Sequence, residues 1–193
     1  MEASSGIGWL TPEAVCSAIE GLKTIGLVAI GAIASYLSAG AARRAEARSA
    51  RRSLAQALAA EVESYVRIME VRAHVEAVEA MIPQIKAAPA GAFSVQELLP
   101  QLAPMNSKER AEEPNPIFIA NLGEVGRLGD VCGDLAQFWA KVRGVRATIT
   151  NAYEGLYDGT PAARLTPMME ADARLWREAM GMAPGIISRL RAL

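Results

Sequence analysis

The sequence is poor in the residues that most catalytic chemistry requires. It has one histidine, His74, and two cysteines, Cys16 and Cys132. Every acid–base or nucleophilic constellation that needs an imidazole must therefore use His74, and no GxSxG elbow supplies a serine to go with it. The cysteines lie far apart and outside any CxxC spacing, so they form neither a zinc motif nor a disulfide framework. They read as two free thiols. Aromatic residues make up only 5% of the chain, which argues against a β-rich core. The net charge of −1 exerts no overall pull on nucleic acid. Basic character, where it exists, is local.

What is abundant is small and aliphatic. Hydrophobic residues reach 51%, chiefly Ala, Leu, Val and Ile, a mixture suited to closely packed helices. Ten prolines and sixteen glycines fall mainly between periodic segments, as punctuation. The length of 193 residues fits one domain with an appendage.

Between Lys23 and Arg43 no residue is charged; the run covers positions 24–42. As a helix it would be ~28 Å long, close to the hydrocarbon thickness of a bilayer. Its large aliphatics are Ile25, Leu27, Val28, Ile30, Ile33 and Leu37. They contribute roughly −2 to −4 kcal/mol toward insertion, and the interspersed Gly, Ser and Thr work against them. The span is marginal. Gly31, Ser35 and Ala39 recur every four positions, a small-xxx-small spacing that lets two helices approach closely in lipid.

The flanks give the run a direction. Glu2, Glu13 and Glu20 precede it with Lys23, whereas Arg43, Arg44, Arg48, Arg51 and Arg52 follow with only Glu46 opposing. The positive-inside rule places the C-terminal side in the cytoplasm and the N-terminus outside. A cleaved signal peptide needs a positive leading region, which is acidic here, so the expectation is an uncleaved anchor. The arginines suit contact with anionic headgroups. With no aromatic residue among them, they do not form a nucleic-acid site.

Further organisation follows from periodicity. Thr11-Pro12-Glu13 reads as a helix start, with Val15, Ile19 and Leu22 on one face. Beyond the arginines, Leu54, Leu58, Val62, Tyr65, Met69 and Arg72 continue a helix to about Ile82, where Pro83 is expected to end it. Val75, Val78 and Ile82 drift onto the next face. Residues 84–116 read as a loop-rich connector, with a small helix capped by Ser94 and Glu97. Asn115-Pro116 starts another short helix. The clearest signal is Val131, Leu135, Phe138, Val142, Val145, Ile149, Ala152 and Leu156, which alternate steps of four and three behind a capping Asp130. This seam wants a partner, and the Leu54–Ile82 helix is the expected antiparallel neighbour. Asp158-Gly159 should stop it. Thr166-Pro167 should begin a last helix carrying Met169, Leu175, Trp176, Ala179 and Met180, with a break near Pro184-Gly185.

Other candidate sites weigh less. Glu70 and His74 lie one turn apart but lack the paired ExxH of a di-iron bundle, and His74 reads as partly exposed. Gly123, Gly126, Gly129 and Gly133 lack the spacing and the Lys-Ser/Thr of a phosphate loop and read as turn and packing glycines. Met168, Met169, Met180 and Met182 read as core, and Glu109, Glu112 and Glu113 as solvated.

Two segments carry a resemblance: RRSLAQALAAEVESYVRIMEVR (Arg51–Arg72) and NPIFIANLGEVGRLGDVCGDLAQFWAKVRGVRATI (Asn115–Ile149). With the preceding span and arginines they resemble an uncharacterised family of small bacterial membrane-anchored helical proteins. Phe118, Asn121, Leu122 and the Phe138-Trp139 pair match its outline, over about two-thirds of the chain. The resemblance implies topology and fold and no particular activity; the connector and the C-terminal third lie outside it.

The sequence thus predicts an all-α protein. An extracytoplasmic segment (1–23) leads to a transmembrane helix (24–42) and a cytosolic helical domain (43–193) at the bacterial inner membrane. The helix leaving the membrane packs with at least two others as an antiparallel bundle. The expected role is non-enzymatic, without cofactor or metal: self-association as a homo-oligomer, or binding of a membrane-protein partner. A membrane-active effector of prophage or defence type, oligomerising through the Gly/Ala/Ser-rich span, is the alternative.

Overall fold

A computed structural model describes the backbone over residues 12–88 and 112–193, with side chains described from Ser35 onward. The described residues are all helical apart from turns. They form α1 (Pro12–Val71), α2 (His74–Ala87), the short α3 (Pro116–Ala120) and α4 (Leu122–Val125), a 3₁₀ turn (Gly126–Leu128), α5 (Val131–Tyr153) and α6 (Ala162–Arg191). The chain divides into two compact units, Met1–Ala50 and Arg51–Leu193. In its described residues the first is the leading part of α1. Thr11 and the capping pair Ser94 and Glu97 lie outside the described residues.

The second unit is a bundle. From Ala55 onward α1 buries Ala55, Leu58, Ala59, Val62, Tyr65 and Met69, a stripe at helical spacing. Along α5 the buried positions are Val131, Leu135, Phe138, Val142, Val145, Ile149 and Ala152. Leu156 departs from the expected seam: α5 ends at Tyr153, and Leu156 is 64% exposed in the following turn. That turn needs positive φ at Gly155 and Gly159, so the chain leaves the helix before the Asp158-Gly159 signal. Asp130 stands at the N-cap of α5 without a side-chain capping bond.

Helix α6 differs most from expectation. It starts at Ala162, after Pro161, and runs unbroken through both Pro167 and Pro184. Leu165, Met169, Asp172, Trp176, Ala179, Ala183, Ile186 and Leu190 are buried in steps of four and three along its whole length. Each internal proline removes one backbone bond. The continuous buried face on both sides of each proline holds the helix together.

The pairing is mixed in direction. Ion pairs Glu63–Arg191 (2.7 Å), Glu79–Arg177 (2.5 Å) and Lys86–Glu170 (2.8 Å) run in opposite senses along α1–α2 and α6. Asp134–Arg189 and Lys141–Glu178 do the same for α5 and α6. Tyr65 meets Phe138 and Trp139, whereas Val78 and Met81 meet Val145 and Ile149. So α1–α2 runs parallel to α5, and α6 is antiparallel to both. The expected antiparallel pairing of α5 with α1 is corrected: the first half of α5 lies against Tyr65 of α1 and its second half against α2.

The expected single helix to Ile82 is also interrupted, at Arg72-Ala73. Ala73 adopts φ 47°, ψ 40°, a left-handed conformation costing a non-glycine residue about 1–2 kcal/mol. Pro83 does not end the helix; α2 continues to Ala87.

Phe138 fills the centre of the bundle between Tyr65 and Trp139, with ring centroids 6.3 and 4.7 Å away. Phe138→Ala is expected to lower stability by about 3–5 kcal/mol, whereas Leu156→Ala should stay within about 0.5 kcal/mol. Thermal denaturation of the two variants checks the contrast; equal losses would return Leu156 to the seam.

Candidate functional site

Three groups of buried polar side chains stand out in the bundle. The first is a clamp. Glu61 on α1 is buried, and its carboxylate accepts hydrogen bonds from the backbone N–H of Ile117 (2.6 Å) and of Phe118 (3.1 Å). Asn115 occupies the N-cap of α3 but makes no side-chain capping bond, and its amide is buried without a partner. Glu61 caps that short helix from a distance of more than fifty residues in sequence. Burial raises its pKa, and the two backbone bonds oppose the rise. The chemistry is structural: a carboxylate satisfies orphan N–H groups.

The second is Asp172, at a seam position of α6. It is 7% exposed, and its Oδ2 has no hydrogen-bond partner. Val78, Met81, Val145, Thr148, Ile149, Ala152 and Met169 enclose it around a cavity of about 10 Å³, space for about one water. Burial raises the carboxyl pKa, and the Thr148 hydroxyl offsets this in part.

The third is aromatic. Tyr65 lies edge-on to Trp139 (5.5 Å), and His74 lies 5.6 Å from Trp176. His74 is fully buried, contrary to the partly exposed position expected from sequence. Tyr65 is 6% exposed; its hydroxyl lies beside the Trp176 indole and the Arg146 guanidinium, and neither closes a well-formed hydrogen bond to it. Burial pushes this phenol up to about 12. Among the described residues, no group of three or more His, Cys, Asp and Glu side chains is placed to hold a metal ion.

Tyr65 also lines the most polar cleft described, of about 230 Å³. Ile68, Met69 and Arg72 of α1, Arg146 of α5 and the chain segment Glu112, Glu113, Pro114 complete it. Arg146 Nη2 donates to the Glu112 carbonyl at 2.9 Å, tying that segment to α5.

The residues singled out from sequence are distributed differently. Arg43, Arg44, Arg48, Arg51 and Arg52 are all exposed along α1, and Arg52 Nε donates to the Leu193 carbonyl at 3.3 Å. Ser35 and Ala39 are exposed on the same helix. Gly31 is described in its backbone alone, as is most of the 24–42 run. Among the described residues no helix is long and apolar enough to cross a membrane. At Gly123, Gly126, Gly129 and Gly133 an added Cβ would meet nothing within 4 Å, so close packing does not require them; Gly129 alone serves a positive-φ turn. Met169 is buried, with Met168, Met180 and Met182 half-buried against the core. Sequence reasoning missed Glu61, Asp172 and the Tyr65–Arg146 pair. Only Asp172 left a sequence signal, as an acid inside a four-three seam.

No protein-family model, curated protein or solved structure matches the chain.

The raised carboxyl of Asp172 has a signed consequence. The folded chain keeps this proton at pH values where the unfolded chain, titrating near 3.8, has released it. Stability is therefore greatest at acid pH with respect to this group and falls as pH rises through the folded-state value. Asp172→Asn should stabilise the protein at neutral pH, because the amide stays uncharged where the buried carboxyl tends to ionise. The gain should shrink on acidification toward pH 4. Paired thermal melts across that range test it, and a gap independent of pH would remove Asp172 as the cause.

Proposed function

We propose that this is a membrane-anchored, non-enzymatic helical protein of the bacterial inner membrane whose cytosolic bundle associates with itself or with a membrane-protein partner. The observation that carries the reading is the first part of α1. From Ser35 to Ala50 the side chains are exposed around the whole helix, Gly40 being half-buried, and Tyr36 and Leu37 are among the exposed. An isolated helix in water is marginal, because helices draw most of their stability from packing. This segment takes in the last eight of the nineteen uncharged positions, 24–42, and leads into five arginines within ten residues, 43–52. Lipid on one side of Arg43 and anionic headgroups around Arg43, Arg44, Arg48, Arg51 and Arg52 supply what water does not.

The orientation, N-terminus outside and bundle inside, rests on the same arginines. Neither a cofactor nor nucleic acid is needed. A second reading keeps the anchor and changes its role. The Gly31, Ser35, Ala39 spacing suits self-association in lipid, and an effector that permeabilises the membrane would use it.

The protein should stay in the membrane pellet after alkaline carbonate washing. An impermeant maleimide on intact cells should reach Cys16 and spare Cys132, which reacts only after lysis and unfolding. Release by carbonate would remove the anchor, and the opposite labelling would invert the topology. Dye leakage and growth arrest on induction would favour the effector; silent expression with a stable partner favours the scaffold.

A further inference from the structure

Among the long helices of the bundle, α2 is held least. It has fourteen residues and joins α1 through Ala73, the one non-glycine residue at positive φ among those described. Pro83 removes one of its backbone bonds. Its hold on the bundle is four buried side chains, His74, Val78, Met81 and Ile85, with the ion pairs Glu79–Arg177 and Lys86–Glu170 at the edge. By comparison, α5 buries eight side chains and α6 nine. Segments with few buried contacts open at the lowest free energy.

Beneath α2 lies the Asp172 carboxyl, whose Oδ2 has no hydrogen-bond partner. It faces Val78 and Met81 of α2, Val145, Thr148, Ile149 and Ala152 of α5, and Met169 of its own helix. None of these side chains is charged or titratable, and only Thr148 is polar. His74, one turn before Val78, and Tyr153, one turn after Ile149, are the titratable groups on the same faces of α2 and α5. The charged Glu79, Lys86, Glu170 and Arg177 are matched with one another at the edge of the α2–α6 contact. A carboxylate formed at Asp172 meets no cation in this lining, and a buried charge without compensation is costly. The cavity, about 10 Å³, has space for about one water. Fuller hydration of the carboxylate requires a wall to move, and α2 is the wall that yields first.

We propose that α2 is a hinged cover, closed over a neutral Asp172 and swinging open about Arg72-Ala73 when Asp172 gives its proton to solvent. Opening bares Val145, Ile149 and Met169 and lets water reach the carboxylate. Ala73 gives up its left-handed strain in the same movement, which lowers the cost of opening. The device does not depend on whether the chain is anchored in a membrane.

The test is amide hydrogen exchange on the full chain in detergent micelles from about pH 4 to about pH 8, with intrinsic exchange rates divided out. Protection of the α2 amides should fall as pH rises above 3.8, the ordinary value of the carboxyl. The fall should reach up to about tenfold per pH unit, the limit for one proton, and level off once the closed form is ionised as well. The α5 amides between Leu135 and Val142 should hold their protection. Asp172→Asn should flatten the α2 profile. Ala73→Gly should raise α2 protection several-fold at every pH and leave the slope in place. A flat wild-type profile overturns the proposal, as does a slope that survives Asp172→Asn. Equal losses in α2 and α5 would mean that the whole bundle loosens, and wider opening on acidification would assign the titration to His74; either result overturns it too.

Discussion

The bundle depends on the unbroken apolar seam of α6. That helix is the one element tied to α1, α2 and α5 alike, by ion pairs at its edges and by Leu165, Met169, Trp176, Ala179, Ala183, Ile186 and Leu190 along its face. Exposed ion pairs are each worth little, about 0–1 kcal/mol. They fix direction more than they hold the helices together. The burial of the seam does the holding, and it is strong enough to carry two internal prolines. Two consecutive small residues, Ala179 and Ala183, sit between the large Trp176 and Ile186 along the line of contact.

The same constraint explains the one strained residue. In a straight helix, nine residues turn through about 180° beyond whole turns. Met69 and Val78 are nine apart and both are buried. A continuous α1–α2 would therefore point His74, Val78, Met81 and Ile85 away from the core that receives Met69 and Val62. The left-handed Ala73 resets the phase, so that both stretches face α6. The backbone cost there is set against burial of four side chains, which is the larger quantity. Alanine rather than glycine at this position leaves the strain in place.

Legibility followed from how far local signals agreed. The α5 seam was readable because nothing interrupts it, and seven of its eight expected positions are buried. The α6 seam has the same spacing over a longer stretch, but Pro167 and Pro184 read as boundaries and Asp172 and the alanines dilute its apolar signal. The joint was invisible to propensity, since alanine is the best helix former. Its trace was the drift of Val75, Val78 and Ile82 off the Leu58–Met69 face, which is a phase shift rather than a broad stripe. The clamp and the cleft bring together residues distant in sequence, Glu61 with Ile117 and Tyr65 with Arg146. No local pattern encodes such pairings. Sequence alone could not weigh a carboxylate that caps another helix against one that is merely solvated.

Helix α1 finally poses two stability problems in one element. From Ala55 its apolar stripe is answered by α5 and α6, and tertiary packing accounts for the helix there. From Ser35 to Ala50 no stripe is buried, and the residues are chiefly Ala, Ser and Arg. Alanine gives good propensity, but propensity alone leaves a short helix marginal in water. Alternating arginines at Arg44, Arg48 and Arg52 gain little from one another, being like charges one turn apart, and they destabilise an unaccompanied helix by a few tenths of a kcal/mol per pair. An anionic surface turns that repulsion into attraction. The segment with the least internal support is thus the one whose composition is best matched to an external, negatively charged and partly apolar partner. That match is the physical ground for the membrane reading proposed above.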